Sequence, residues 1–394
     1  MKCKITNKSI KPFMSFGKMP IANGFLNKED FSKEFFFEME VGFNEELSLF
    51  QLNDHPKPEK MFNANYPFFT GSSEYMKTHF KSYAEFVKKY LSTGSKIIEI
   101  GSNDGTFLKN FDNSENHILG IEPSKNVADI ALKNNIPTIN EFFNTANVKK
   151  LKKFIGSTDL ICASNVICHV PDLNNLIEGV DLLLNKEGVF IFEEPYLGSM
   201  FEKVSYDQIY DEHIFMFSAS SVSKIFEKFN FHLIDAFPQT THGGSMRYVL
   251  KRSKNGNNEN LKKIFNNENK KKLNKIESCL EFKKNCEISK ENINNKIKSF
   301  KNKGKTICGY AATSKSTTIL NYCNIGTNYI DFICDTTKEK IGKFSPGKHI
   351  PIKDMDYFHN NMRDCVYLFA WNHKEEIFNK EKNFKGEWFS HVNL

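Results

Sequence analysis

Residues 96–195 alternate short apolar runs with amphipathic segments of about ten residues, and this alternation constrains the fold most strongly. Strands that alternate with helices predict a parallel sheet with right-handed crossovers. The later segment 217–252 has the pattern helix, strand, turn, strand, which predicts an antiparallel addition at one edge of that sheet. The apolar runs are KIIEI (96–100), HILGI (117–121), DLICASNV (159–166) and GVFIFEEP (188–195), and the intervening helices are predicted at FLKNFDN (107–113), SKNVADIALKNN (124–135) and DLNNLIEGVDLLL (172–184).

Four segments differ in their patterning, so we divide the 394 residues into an N-terminal lobe, a central α/β domain, a helical connector and a second α/β unit. The lobe contains strand-like FFFEMEVGF and LSLFQL and the turn-rich GKMPIANGFL, and the central domain opens with an amphipathic helix over 72–92. The four boundaries are 1–60, 61–253, 254–304 and 305–394.

Charge is spread unevenly along the chain. The formal net charge is +7, but residues 251–305 hold 17 Lys and Arg against six acidic residues, which leaves the remainder at −4. A chain with that balance offers little to attract a polyanion, so no nucleic-acid partner is expected. No apolar run approaches the ~18–20 residues of a membrane span. Nine scattered cysteines predict reduced thiols and a cytoplasmic location.

A glycine-rich turn follows the first strand of the central domain. Glu99 precedes Gly101, and Asp104 and Gly105 complete the turn. Glycines let the backbone turn sharply and approach a ligand closely, but the carboxylates would repel a phosphate. A cationic ligand without phosphate, such as S-adenosylmethionine, fits better. Glu122 follows the next strand at the spacing of a ribose-binding carboxylate.

Two further clusters carry chemistry. The string YDQIYDEH (206–213) supplies a phenol, a carboxylate and an imidazole that titrates near neutrality, and His169 lies past the fourth strand, where open α/β sheets bind ligands. The string GYAATSKS (309–316) opens a helix with hydroxyls and Lys315, which suits a pyrophosphate. Asn372 and His373 end another strand of that unit, and His242 lies in a glycine turn that faces either the same crevice or its own hairpin.

These residues resemble a family, the S-adenosylmethionine-dependent sugar C-methyltransferases, in particular the C-3 methyltransferases of nucleotide-linked 4-keto-deoxysugars. The resemblance covers nearly the whole chain. Its strings are YPFFTGSS (66–73), EIGSNDG (99–105), GIEPSKNVA (120–128), NVICHVPDL (165–173), FEEPYLG (192–198), DQIYDEHIFMFSA (207–219), HGGSMRY (242–248), GYAATSKS (309–316) and LFAWNHKEEI (368–377).

The resemblance implies a class I methyltransferase (Rossmann-like) central domain and a C-terminal α/β domain that binds the sugar nucleotide. Its implied catalytic residues are His213 as general base, with Glu212, Tyr210, Tyr66 and His169 around the sugar. The predicted cofactor residues are Glu99, Gly101, Asn103, Asp104, Gly105, Glu122, Pro123, Asn140, Phe142, Phe143, Ala163 and Asn165. The predicted substrate residues are Tyr196, His242, Thr313, Lys315, Ser316, Asn372 and His373.

One departure from the family concerns the lobe, where the family usually binds zinc through two Cys-x-x-Cys pairs. Here only Cys3 remains; its partner position is Thr6, and the second pair is Asn44 and Leu47. One thiolate cannot build a tetrahedral structural site, so we predict no zinc.

The expected reaction is transfer of a methyl group to a sugar carbon next to a ketone, through an enolate. An O-methyltransferase acting on a nucleotide sugar or glycan precursor is the alternative, and it would need a base beside a hydroxyl but no ketone. A catalytically silent nucleotide-sugar binding subunit is a further alternative, which the intact string around His213 disfavours.

Overall fold

A computed structural model describes residues 1–62, 64, 66–112, 114–254 and 258–394. Residues 63, 65 and 113 of the predicted central domain and 255–257 of the predicted connector lie outside the described part of the chain. The strands are β1 (Pro12–Pro20), β2 (Phe36–Asn44), β3 (Leu49–Leu52), β4 (Lys96–Ile100), β5 (His117–Ile121), β6 (Thr138–Ile139), β7 (Thr158–Ser164), β8 (Leu184–Pro195), β9 (Phe215–Met216), β10 (His232–Gln239), β11 (Ser245–Lys251), β12 (Ile307–Tyr310), β13 (Ile333–Cys334), β14 (Ile352–Lys353), β15 (Cys365–Leu368) and β16 (Glu387–Phe389).

The helices alternate with these strands through the central and C-terminal parts of the chain. The α-helices are α1 (Pro58–Met61), α2 (Glu74–Lys88), α3 (Lys125–Lys133), α4 (Thr145–Ile155), α5 (Leu173–Leu183), α6 (Leu197–Lys203), α7 (Ala219–Phe226), α8 (Glu259–Lys270), α9 (Ile276–Asn302), α10 (Ser314–Tyr322), α11 (Met355–Asn360) and α12 (Lys374–Lys380).

The central sheet has the strand order β10-β11-β8-β7-β4-β5-β6. Strands β8, β7, β4, β5 and β6 run parallel, whereas β11 runs antiparallel to both β8 and β10. This order, with an antiparallel strand inserted near one edge, is that of a class I methyltransferase. Ile97, Ile98 and Ile100 are all buried, because helices cover both faces of the sheet. The predicted parallel sheet and its antiparallel edge are confirmed.

The helix predicted over 107–113 is wrong. Among residues 107–112 of that segment, the part that the structure describes, only a 3₁₀ turn forms, at Leu108–Asn110. The side-chain amide of Asn110 donates to the carbonyls of Thr106 and Phe107, which are the acceptors that an α-helix would use. Phe107 and Phe111 then pack against α2 instead of extending a helix.

The N-terminal lobe contains an antiparallel sheet of order β1-β2-β3-β9. The predicted turn at 17–26 begins later than expected, because β1 continues to Pro20. Strand β9 comes from the central part of the chain, immediately after the YDEH string, and pairs Met216 with Phe50 of β3. The lobe and the segment that follows the YDEH string therefore share one sheet.

The predicted connector consists of α8 and α9, and the C-terminal unit is a parallel sheet of order β14-β13-β12-β15-β16. Helix α8 packs on the central domain, since Leu261 is buried in its core and Glu268 accepts hydrogen bonds from the amides of Ala219 and Ser220 at the start of α7. Across the described ranges, no helix is both long and apolar enough to cross a membrane.

Candidate active site

A cavity of about 620 Å³ lies where the lobe, the central domain and the C-terminal domain meet. It opens at the carboxyl ends of β4, β5 and β7, which is where parallel α/β sheets bind ligands. Its walls also include the segment before α2 and the turns that follow β12 and β15. The site is therefore built from three domains, and its two ends differ in charge.

One end is formed by the glycine turn after β4. Gly101 has a φ of +66°, and a Cβ atom there would overlap the side chain of Val166. Only glycine satisfies both conditions. The predicted cofactor residues that line this end are Gly101, Asn103, Pro123, Phe142, Phe143 and Asn165. Phe142 and Phe143 give the end an apolar wall.

Buried carboxylates lie behind that turn. The Oε2 atom of Glu99 is buried and has no hydrogen-bond partner among the described residues. Burial raises the pKa of Glu99 well above its ordinary value, and the nearby Asp104 and Glu122 raise that pKa further. A cationic ligand relieves this repulsion, whereas a phosphate would increase it. The residues present therefore fit an ammonium- and sulfonium-bearing cofactor.

Several predicted cofactor residues do not line the cavity but hold its wall in place. Glu122 accepts hydrogen bonds from the amides of Asn103 and Ser124, and Asn140 donates to the carbonyls of Glu122 and Pro123. Asp104 accepts the amide of Gly71, which fixes the segment before α2 over the turn. The others that lie off the cavity are Glu99, Gly105, which packs against Ile136, and Ala163, which is in the core of β7.

The predicted catalytic residues Tyr66, His169, Tyr210 and Glu212 all line the cavity. His169 is a buried imidazole whose Nε2 has no partner among the described residues, and burial lowers its pKa to about 3. A neutral imidazole with a free nitrogen is thus available at the wall. Its ring stacks on that of His213, with the two ring centroids 5.2 Å apart.

His213 differs from its expected placement, because it does not line the cavity. Its Nδ1 lies 2.7 Å from the carbonyl oxygen of Gln208, and its Nε2 lies 2.7 Å from the hydroxyl of Tyr210. The Gln208 carbonyl can only accept, so Nδ1 carries the proton and Nε2 accepts from Tyr210. Burial lowers the pKa of His213 well below its ordinary value, so the ring is neutral. The imidazole contacts the cavity through the Tyr210 phenol.

Two adjacent carboxyls complete this wall. Burial raises the pKa of Asp211 to about 7, and burial together with Asp211 raises the pKa of Glu212 to about 8. Glu212 accepts a hydrogen bond from the Asn23 side chain at 2.7 Å. Near neutral pH the pair therefore carries less than its full negative charge.

The other end of the cavity is cationic. Lys315 lies at the start of α10, and its Nζ donates to Asn372 Oδ1 at 3.1 Å. Thr313 caps that helix through the amide of Ser316. Burial lowers the pKa of Lys315 and lowers that of His242 to about 3. The predicted substrate residues that line this end are His242, Thr313, Lys315, Asn372 and His373.

Two predicted substrate residues lie away from the cavity. The hydroxyl of Tyr196 donates to Glu268 of α8, so it fastens α8 to the central domain. Ser316 is fully buried and its hydroxyl donates to the carbonyl of Thr313, so it completes a helix cap. Both lie in strings that match the family, and neither string indicates which way its side chains point.

Sequence reasoning missed several residues that line the cavity. Asn23 reaches it from the lobe, and Lys340 reaches it from the C-terminal domain, where it donates to the Ala312 carbonyl. Phe62 stacks on His169, with ring centroids 5.6 Å apart. No local motif marks these positions. The string ANGF around Asn23 contains turn formers, which was the only signal available.

Family models match three successive parts of the chain. Residues 74–236 match a methyltransferase domain, residues 240–392 match a C-methyltransferase C-terminal domain, and residues 3–62 match a putative zinc binding domain. A curated relative, the C-methyltransferase NovU of Streptomyces niveus, is 27% identical over 377 residues, which are 94% of this chain and 89% of that protein.

Solved structures also resemble part of the chain. The magnesium protoporphyrin IX methyltransferase of Synechocystis PCC 6803 with bound SAM has 13% identity and a TM-score of 0.35, over 45% of this chain and 79% of that one. A possible histamine N-methyltransferase of Thermotoga maritima has 19% identity and a TM-score of 0.34, over 44% and 89%. Likenesses at this level carry no information about substrate.

The strand order of the central sheet and the matches along the chain lead to the same conclusion. The glycine turn after β4 lies in the matched methyltransferase domain, and the turn with Lys315 lies in the matched C-methyltransferase C-terminal domain. The chain is an S-adenosylmethionine-dependent methyltransferase, and it is similar to C-methyltransferases over most of its length.

Proposed function

We propose that this enzyme methylates a carbon of a nucleotide-linked keto-deoxysugar through an enolate. The observation that carries the proposal is the composition of one cavity. Its end in front of the buried carboxyl groups of Glu99, Asp104 and Glu122 fits a sulfonium cofactor. Its opposite end presents Lys315 for a pyrophosphate, and phenol and imidazole groups lie in the wall of the same cavity. Nine buried, unpaired thiols support the proposed cytoplasmic setting.

Proton removal is assigned to the Tyr210–His213 pair. A carbon next to a ketone becomes nucleophilic when it loses a proton, because the electron pair is shared with the carbonyl oxygen. The Tyr210 oxygen takes that proton as its own phenolic proton passes to His213 Nε2, which becomes an imidazolium. Tyr66 donates a hydrogen bond to the enolate oxygen, and the Gln208 carbonyl holds His213 in the accepting tautomer.

The cofactor supplies an electrophilic methyl group when it is bound. The residues proposed to hold it are Gly101, Asn103 and Asn165 at the cavity wall, with Glu99 and Glu122 behind them. The nucleotide is proposed to bind the C-terminal domain through the amides at the start of α10 and through Lys315. A sugar held between these two proposed sites would lie in the cavity that Tyr210 lines.

The experiment that tests this function is hydrogen exchange without the methyl donor. Candidate keto-sugar nucleotides are incubated with enzyme in D₂O, and we expect deuterium at the carbon next to the ketone, because the enolate forms before methyl transfer. Mass spectrometry after addition of S-adenosylmethionine should then show the gain of one methylene mass. Methylation without prior exchange would favour the O-methyltransferase, which needs no enolate. Absence of both products with every candidate sugar would contradict the proposal.

We also propose that the lobe folds without zinc. The donor set does not fit a structural zinc site. Cys3 is buried among Ile5, Leu47 and Leu49, and the Asn44 side chain accepts the amide of Leu47. In the described part of the lobe, no three His, Cys, Asp or Glu side chains come together. The side chain of Gln51 in β3 instead accepts a hydrogen bond from the Lys4 amide and donates one to the Lys2 carbonyl. It thereby holds the first residues of the chain against β3.

Metal analysis tests this second proposal. We expect the purified enzyme to contain far less than one zinc per chain, and a chelator to leave its melting temperature unchanged. The triple variant Thr6→Cys/Asn44→Cys/Leu47→Cys should bind about one zinc with Cys3 and become sensitive to the chelator. One zinc per chain in the wild type, lost in Cys3→Ser, would show that the lobe is still a zinc domain.

A further inference from the structure

Asn23 joins all three domains at the cavity wall. It follows β1 in the lobe, its Nδ2 donates to Glu212 Oε1 at 2.7 Å, and its Oδ1 accepts from the Ser314 hydroxyl at 3.0 Å. Glu212 belongs to the catalytic segment of the central domain, and Ser314 begins α10 of the C-terminal domain. Both ends of one amide are thus engaged by groups from different domains.

The backbone beside Asn23 is fixed in the same way. The amide of Ala22 donates to Asp211 Oδ1 at 2.9 Å, and the Thr317 hydroxyl donates to the Ala22 carbonyl at 2.8 Å. Ala22 is buried. The side chain of Asn23 therefore extends from a point that the central and C-terminal domains both hold. A displacement of either domain would move the amide relative to Glu212.

We propose that Asn23 is a positioning residue of the reaction, which holds the Glu212 carboxyl at the wall beside Tyr66 and couples that alignment to the docking of α10. The proposal rests on the function proposed above, because it assigns Glu212 to the sugar site. It gives the lobe a part in the chemistry through hydrogen bonds, independent of any metal.

The charged and titratable groups around Glu212 come from every element that packs against it. Asp211 lies on its own segment with Tyr210, Tyr66 precedes α2, Cys168 follows β7, and Lys340 approaches from the C-terminal domain. Burial and Asp211 raise the pKa of Glu212, whereas the Asn23 amide and Lys340 lower it. Removal of the amide therefore raises that pKa further, so the carboxylate forms only at higher pH.

The expected effect of Asn23→Ala is a fall in kcat of about 10- to 100-fold, the size of a lost hydrogen bond to an ionisable group. The KM for S-adenosylmethionine should stay unchanged, because the hydrogen bonds of the Asn23 side chain among the described residues go to Glu212 and Ser314 and not to the glycine turn after β4. Ser314→Ala removes only the contact from α10 and should cause a smaller fall in kcat. Asn27→Ala is the matched control, since Asn27 is exposed and, among the described residues, its side chain forms a hydrogen bond only with Asp30 of the same lobe.

A double-mutant cycle separates positioning from a purely structural role. In a Glu212→Gln background, Asn23→Ala should cause no further loss of kcat, because the amide acts through that carboxyl. If the double variant instead shows a loss of kcat equal to the product of the two single losses, the proposal is overturned. The pH dependence of the carboxyl ¹³C resonance of Glu212 gives a reading that needs no substrate. Its titration midpoint should rise in Asn23→Ala and stay at the wild-type value in Asn27→Ala, and an unchanged midpoint in Asn23→Ala would also overturn it.

These readings distinguish failure of the inference from failure of the function. A wild type that methylates no keto-sugar, with a shifted Glu212 midpoint in Asn23→Ala, would overturn the function and leave the contact between Asn23 and Glu212 established. A wild type that methylates a keto-sugar, with full kcat in Asn23→Ala, would overturn the positioning role alone. Melting temperatures of both variants exclude unfolding as the cause of any loss.

Discussion

His213→Asn is expected to lower kcat by about 10²- to 10⁴-fold and to leave folding and S-adenosylmethionine binding intact. The physical reason is the proposed proton path from the cavity through Tyr210 to His213. Tyr210 donates to His213 Nε2 at 2.7 Å, and the Gln208 carbonyl keeps that nitrogen unprotonated. Asparagine offers no basic nitrogen at this position, so the phenol loses the base that takes its proton. The measurements are kcat with a keto-sugar nucleotide, calorimetric binding of the cofactor and the melting temperature.

His117→Asn is the matched control for this prediction, because His117 is exposed at the start of β5 and should keep wild-type turnover. Tyr210→Phe should reproduce most of the His213→Asn loss, and the double variant should be little worse than either single variant, since the two groups act in one path. A wild-type rate in His213→Asn would reject the assigned path. A loss of cofactor binding would instead indicate a structural role for the ring.

Arg247→Met is expected to lower the free energy of unfolding by about 3–5 kcal/mol, because it leaves a buried carboxylate without its cation. Arg247 Nε lies 2.6 Å from Glu193 Oε1, and His79 Nε2 lies 2.6 Å from the other oxygen, Oε2. Both Arg247 and Glu193 are nearly inaccessible, and the guanidinium also packs over Tyr83. Denaturant unfolding at neutral pH measures the change.

The matched control is Arg252→Met, whose guanidinium binds the half-exposed Asp181 and should cost less than about 1 kcal/mol. Adding Glu193→Gln to Arg247→Met should recover part of the loss, because no unpaired charge then remains buried. A double variant that is no more stable than Arg247→Met would contradict the assigned cause. A loss of less than about 1 kcal/mol in Arg247→Met would contradict it as well.

The same pair gives a pH dependence with a defined sign. Burial raises the pKa of Glu193, but the hydrogen bond from His79 and the charge of Arg247 outweigh it, so the net pKa is below the ordinary value. The stabilisation is therefore complete above the ordinary pKa of a glutamate and is lost as the pH falls through the lowered value. Arg247→Met should lose less stability than the wild type over that acidic range.

The central sheet was predictable from sequence for a physical reason. A strand covered by helices on both faces is apolar at nearly every position, as the run VFIF (189–192) of β8 is, and a turn after such a strand must contain glycine where φ is positive, as at Gly101 after β4. Each of these conditions is local. The prediction of a helix over 107–113 failed because the Asn110 side chain competes for backbone carbonyls, and no pattern of apolar residues reports that competition.

The sequence predicts which residues lie near the site, but it does not predict which of their side chains face the cavity. The sequence places Tyr210 and His213 in one string, but it cannot indicate that Tyr210 faces the cavity while His213 lies behind it. That distinction depends on the Gln208 carbonyl and on stacking against His169. Asn23 and Lys340 reach the same cavity from distant segments, with no motif around them. Contacts between domains determine these positions.

The two-residue strand β9 limits how enzymes of this type can be recombined. It begins two residues after His213 and forms the outer edge of the lobe's sheet, where Phe215 faces Gln51. In a chimaera whose first sixty residues come from a relative, β9 would therefore pair with a different β3, and the segment that begins with the string YDQIYDEH (206–213) would be held by new backbone hydrogen bonds. Reaction rate and substrate preference should follow the donor of the lobe as much as the donor of the methyltransferase domain.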